Sequence, residues 1–81
     1  MRVHVRYFAA LREKVRKDAE ELTLPAGATV GQARAALIEQ YPQLAPTLAS
    51  CAAAVNRAYA SAETALAEDD ELVFIPPLGG G

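Results

Sequence analysis

The residues best placed to do chemistry in this sequence are its last six, Pro76-Pro77-Leu78-Gly79-Gly80-Gly81. Two prolines stiffen the chain as it leaves an apolar run, and three glycines finish it without side chains. A glycine terminus packs nothing, so this composition asks for a reason other than folding. The group on offer is the carboxylate of Gly81. Without Cβ atoms the final residues can thread a narrow channel and take any φ and ψ, and nothing crowds the terminal carbonyl against a nucleophile. Six extended residues span at most about 20 Å, enough to enter a partner's active site while the domain stays outside. Pro76-Pro77 lowers the entropy cost of projecting that reach. A carboxylate is a poor electrophile, so it needs activation, most simply as an acyl-adenylate made from ATP by a separate enzyme. Sulfur or an amine can then replace AMP.

No rival site is legible. His4 is the single histidine and falls on the polar face of a strand beside arginines, where a solvated role is expected. Cys51 opens an alanine-rich strand with no basic residue near it in sequence, which reads as a small buried hydrophobe rather than a nucleophile. One cysteine and one histidine make a metal site unsupported, and the acidic run Glu68-Asp69-Asp70-Glu71 lacks the glycine of a calcium loop. That run reads as solvated charge. Gly27 and Gly31 are in neither nucleotide-binding spacing. The chain is therefore expected to bind no cofactor of its own, and not to be an enzyme in itself.

The elements that must present the tail are set by periodicity. Residues 2–8 alternate, with Val3, Val5 and Tyr7 on one face and Arg2, His4 and Arg6 on the other, as a strand with one buried side does. Phe8 falls at the strand end on the wet side. Residues 9–17 have helical spacing through Leu11 and Val15 and read as a short helical turn in a connection. Residues 18–24 form a second strand, closed by Pro25-Ala26-Gly27. Thr29 with Gln32 three residues on makes a capping box, and Val30, Ala33, Leu37 and Tyr41 share one helix face. Pro42 ends that helix near Tyr41. An irregular crossover with a helical turn around Leu44 to Leu48 leads to a strand at 51–55. A tight turn at Asn56-Arg57, a short strand at 58–60 and a polar loop precede a last, wholly apolar strand at 72–75. Such a strand is expected at the centre of its sheet. The order β-β-α-β-β-β around one amphipathic helix matches the α+β, β-grasp or ubiquitin-like arrangement: a mixed sheet packed on one main helix, with residues 1–75 as the domain and 76–81 as a flexible tail.

Bulk properties narrow the class. Eighty-one residues make one small domain, and a chain this short buries only about 60% of its surface, so its core must be efficient. Alanine carries much of the 52% hydrophobic fraction, leaving Tyr7, Phe8, Leu37, Tyr41, Phe74 and Ile75 as the large anchors expected to fill that core. A net charge of −2 argues against nucleic acid as a partner. No stretch approaches the ~20 apolar residues of a membrane span, and the N-terminus lacks the apolar core of a secretion signal. The single cysteine fits a reducing compartment, so a cytoplasmic location is expected.

At three places the sequence resembles the family of small subunits of molybdopterin synthase, ubiquitin-like sulfur carriers. Asp70-Glu71-Leu72-Val73-Phe74-Ile75-Pro76-Pro77-Leu78-Gly79-Gly80-Gly81 is similar to that family's acidic turn, final strand and double-proline, double-glycine tail. Tyr7-Phe8-Ala9-Ala10-Leu11-Arg12-Glu13 resembles its aromatic-Ala-x-x-Arg-Glu stretch, and Ala54-Val55-Asn56 its residues before a hairpin turn. Two positions depart: Glu68-Asp69 stands where Asp-Gly is frequent, with Asp able to keep a left-handed turn, and Gly79 stands where Ser or Thr is frequent. The resemblance implies that a ubiquitin-activator-like adenylating enzyme consumes ATP to form Gly81-AMP. Sulfur delivery then makes a Gly81 thiocarboxylate. The tail inserts into the large synthase subunit, in a heterotetramer whose catalytic residues lie on that subunit, and gives sulfur to the precursor pterin (precursor Z) of the molybdenum cofactor. It further implies partner contacts at Phe8, Arg12, Phe74, Ile75, Pro76, Pro77, Leu78, Gly79 and Gly80. The same tail chemistry serves a carrier for thiamine or tRNA thiolation, or a ubiquitin-like modifier of lysines. A purely structural interaction domain is the reading in which the tail does nothing.

Overall fold

The computed structural model describes residues 1–77; Leu78 to Gly81 lie outside them. Strand β1 (Arg2–Arg6) leads to α1 (Ala9–Val15) and β2 (Ala19–Thr23). Helix α2 (Val30–Gln40), a 3-10 turn (Pro42–Leu44) and α3 (Ala45–Ala49) come next, and β3 (Ala52–Val55), β4 (Ala58–Ala60) and β5 (Glu71–Ile75) complete the described elements. The five strands form one sheet in the order β2-β1-β5-β3-β4. The last strand is thus central, parallel to β1 and antiparallel to β3, as its apolar run requires.

Alternation explains which side of the sheet is covered. Val3 and Val5 are fully buried while Arg2 and Arg6 are exposed. In β5, Leu72 and Phe74 are buried and alternate with half-buried Glu71, Val73 and Ile75. The buried side chains join Val30, Ala33 and Leu37 of α2, together with Leu44 and Leu48, in a single cluster. Each large side chain so buried contributes about 1.5–3 kcal/mol relative to exposure. Thr29 starts α2 as its sequence indicates: its hydroxyl accepts from the Gln32 N–H at 3.2 Å, and the Gln32 side chain accepts from the Thr29 N–H at 2.8 Å. Gly27, at φ +82°, turns the chain out of β2, and the Ala28 N–H donates to the Pro25 carbonyl. This mixed sheet gripping one main helix is the β-grasp, ubiquitin-like fold.

Several expectations need correction. Phe8 is not a core anchor but 45% exposed, and Tyr41 and Ile75 are half-buried. The segment after β1 is a true helix: α1 buries Leu11 and Val15 and closes on Arg16 at φ +61°, whose N–H donates to the Arg12 carbonyl at 2.8 Å. The alanine-rich β3 holds because it pairs on both sides, with β4 and β5, and needs little from intrinsic propensity.

The strand pair β1–β2 is fastened to α2 by a polar group that periodicity does not reveal. One oxygen of the Glu20 carboxylate accepts from the Tyr7 hydroxyl at 2.5 Å and from the Tyr41 hydroxyl at 2.9 Å, and the other accepts from Lys17 Nζ at 3.3 Å. Burial pushes the Glu20 carboxyl up, but these bonds from Tyr7, Tyr41 and Lys17 outweigh it and hold it below its ordinary value. Burial, and then the bond to Glu20, push the Tyr7 hydroxyl strongly up. Among the described residues, no helix is long and apolar enough to cross a membrane.

Candidate functional site: the end of the central strand

The parallel register sets Arg6 level with Val73. The chain therefore runs on from β1 to Phe8 at the same end of the sheet where β5 runs on to Pro76. Phe8 has extended backbone angles (φ −129°, ψ 157°) and precedes Ala9 at φ +48°, a left-handed conformation that costs an alanine about 1–2 kcal/mol. The ring stands out from the sheet, with the Arg6 guanidinium over it at 5.5 Å. Arg12 is one helical turn on; its N–H donates to the Phe8 carbonyl at 3.3 Å, and its exposed guanidinium lies 3.6 Å from Asp18. Pro76 and Pro77 are exposed. The structure thus brings Phe8, Arg12, Ile75 and Pro76-Pro77 to one end of the molecule. Leu78, Gly79, Gly80 and Gly81 belong to that group by sequence but lie outside the described residues.

Phe74 does not join them. It is 1% exposed, because β5 alternates and Phe74 takes the covered side with Leu72, so its ring is not available to a partner. Val73 and Ile75 take the other side. Val73 is level with Arg6 on β1 and with Ala54 on β3, and Ala54 is level with Tyr59 on β4. Tyr59 is 79% exposed. The uniformly apolar spelling Leu72-Val73-Phe74-Ile75 hides this alternation. The signal that exposes it is the buried Leu22, Val3 and Val5 side of the neighbouring strands, which fixes the face by register. Among the described residues no pocket is present.

The other candidates are structural. Cys51 is buried and its thiol donates to the Thr47 carbonyl at 3.2 Å; burial pushes the thiol up, which the nearby Arg34 charge only partly offsets, and a protonated, buried thiol is a poor nucleophile. His4 is not simply solvated. Its Nε2 lies 3.0 Å from Asp69 Oδ1 and its Nδ1 3.7 Å from Glu21 Oε2, at the opposite end of the sheet from Pro76. The acidic run is likewise built in rather than free. Glu68 accepts from the Arg2 N–H and Nε, and Asp70 accepts from the Ala67 N–H and from Asn56 Nδ2. Asp69 adopts φ +67°, the left-handed turn expected of it. Among the described residues, no group of three or more His, Cys, Asp and Glu is arranged to hold a metal ion.

The central strand passes straight into an exposed proline pair, with no intervening element, in a domain of the ubiquitin-like class. The chain belongs to the ThiS family, whose model matches residues 5–81. It is 35% identical to the molybdopterin synthase sulfur carrier subunit of Mycobacterium tuberculosis, over all of this chain and 99% of that protein. It is 34% identical to the protein of the same name from Chlamydomonas reinhardtii, over the whole of both. Among solved structures it is similar to SAMP1 of Haloferax volcanii, with a TM-score of 0.87 at 27% identity over the whole of both chains; a second structure names that molecule small archaeal modifier protein 1.

Proposed function

We propose that this chain is the sulfur carrier subunit of a molybdopterin synthase, with the Gly81 carboxylate as the group that carries sulfur. The observation behind this reading is the direct passage of the central strand into Pro76-Pro77, in a family member whose relatives bear that name. The domain holds the tail at a fixed exit, and the tail's glycines admit the carbonyl to another protein's active site.

The chemistry is acyl transfer. A carboxylate oxygen of Gly81 attacks the α-phosphorus of ATP on a ubiquitin-activator-like enzyme, and pyrophosphate leaves. A sulfur nucleophile then attacks the acyl carbon, the C–O bond to AMP breaks, and AMP leaves with the electron pair. The resulting thiocarboxylate enters the large synthase subunit, where its sulfur forms a C–S bond to the precursor pterin as an oxygen leaving group departs. Water then cleaves the bond from that sulfur to the Gly81 acyl carbon, which returns to a carboxylate. This chain supplies reach and recognition, through Phe8, Arg12, Ile75, Pro76, Pro77 and the tail residues Leu78, Gly79 and Gly80. ATP, the sulfur source and the catalytic side chains belong to its partners, in a heterotetramer of two carriers on a large-subunit dimer.

Co-expression with an activating enzyme and a sulfur source tests the reading by mass spectrometry. The expected result is exchange of one oxygen for sulfur at Gly81; an unchanged mass under conditions that load a known carrier rejects it. Deleting Gly80 and Gly81 abolishes loading while the fold persists. A second reading, a protein modifier, has the likeness to small archaeal modifier protein 1 in its favour. It requires higher-mass lysine conjugates that disappear with the same deletion.

A further inference from the structure

Strand β5 is not held equally along its length. On the β1 side the ladder pairs His4 with Glu71, Val5 with Leu72 and Arg6 with Val73, and stops. On the β3 side it continues through Phe74 opposite Ala53 to Ile75 opposite Ala52. The last two residues before Pro76 are therefore paired on one side only. A strand end of that kind opens easily unless a side chain anchors it, and the buried Phe74 ring is the anchor.

Arg34 of α2 secures the ring. Its guanidinium carbon lies 5.2 Å from the centre of the Phe74 ring, and its Nη1 donates to the Leu48 carbonyl at 2.9 Å. Its Nε is buried and has no hydrogen-bond partner among the described residues. A donor left unmade costs stability, and a partly buried charge is often no better than an apolar side chain of similar length. Packing alone therefore does not account for an arginine here. What the guanidinium adds is geometry: one cation placed over the ring and, through Nη1, bonded to a carbonyl at the same time.

We propose that Arg34 is a positioning residue for the tail. It clamps the Phe74 ring against the α3 carbonyl and so sets the direction in which β5 delivers Pro76. The consequence for reactivity rests on the reading of Gly81 as the acyl group; the ordering of the strand end does not.

The test uses the full chain with Arg34→Met, which keeps length and loses the plane and charge, and Arg34→Lys, which keeps the charge alone. Three quantities are measured: thermal stability, backbone ¹⁵N relaxation at Phe74 and Ile75, and steady-state adenylation by an activating enzyme. In Arg34→Met the melting temperature is unchanged or higher and the order parameter at Ile75 falls. The kcat drops about tenfold, the scale of a small misplacement of a reacting group, with KM for the carrier unchanged. Arg34→Lys does not restore kcat. The proposal is overturned if Ile75 stays as ordered as in the wild type, if lost turnover merely tracks a lowered melting temperature, or if lysine restores it fully. Should the wild type itself fail to be adenylated, the carrier reading falls, and relaxation at Ile75 still decides whether Arg34 orders the strand end.

Discussion

The Arg6 guanidinium covers one face of the Phe8 ring, at 5.5 Å from its centre. A large apolar side chain is thereby held out of the core, beside the exit of the tail, instead of collapsing onto the sheet. Arg6 also lies 3.6 Å from Glu71, so the cation above the ring is itself tethered to the first residue of β5.

Phe8→Ala is therefore expected to leave folding nearly intact, within about 0.5 kcal/mol, as for other surface substitutions. Binding to the large synthase subunit should weaken by about 2 kcal/mol, roughly 30-fold in Kd, the scale of an aromatic anchor. Titration calorimetry and denaturant melts on the same variant separate the two. Equal affinity for variant and wild type would remove Phe8 from the contact surface.

The Glu20 group gives a pH dependence with a definite sign. Its folded carboxyl binds a proton less readily than an ordinary one, whose value is 4.5. Its contribution is thus fully present above that value and is lost as the pH falls through the lower, folded value. The stability difference between wild type and Glu20→Gln should be constant near neutrality and shrink in acid. Urea melts across that range measure it, and a difference that does not vary with pH contradicts the assignment.

The capping box at the start of α2 is a local test of helix energetics. Thr29→Ala removes the acceptor for the Gln32 N–H and should cost about 1 kcal/mol. Thr29→Ser should recover most of it, and chemical denaturation reads both.

The β3–β4 turn offers a stabilising change. Asn56 and Arg57 sit at φ +50° and +71°, the pair of left-handed residues that a two-residue hairpin of this kind demands. Arginine meets a steric penalty there that glycine does not. Arg57→Gly should raise stability by roughly 0.5–1 kcal/mol, net of the added freedom of the unfolded chain. A lower midpoint in denaturant would show that the Arg57 side chain contributes more than its backbone costs.

Much of the architecture is legible because the sequence alternates cleanly where one face is covered. Val3, Val5 and Tyr7 announce β1, and Thr29 with Gln32 announces the start of α2 to the residue. The apolar run of β5 announces its central place. Hidden from the sequence are effects that depend on pairing between distant segments. Family resemblance puts Phe74 on the contact surface, and only the register with β1 and β3 shows which of Leu72 to Ile75 face the helix. The acidic run at 68–71 looks like solvated charge because its partners, Arg2, His4 and Asn56, are remote in sequence. Arg34 carries no signal at all, since a lone arginine on a helix is ordinary until the ring beneath it is known.

The sheet joins β1 to β5 as parallel neighbours, so its innermost pairing links segments separated by nearly the whole domain. Such distant closure is slow and cooperative, since the intervening chain must be ordered before the contact rewards it. Synthesis of the chain cannot complete the core until β5 has emerged, and residues 76–81 emerge directly behind it. A chain truncated or misfolded upstream lacks the central strand in its place and so has no fixed exit for its glycines. Proper folding thus acts as a licence: the Pro76-Pro77 exit is set at the end of the central strand only in molecules that have finished assembling themselves.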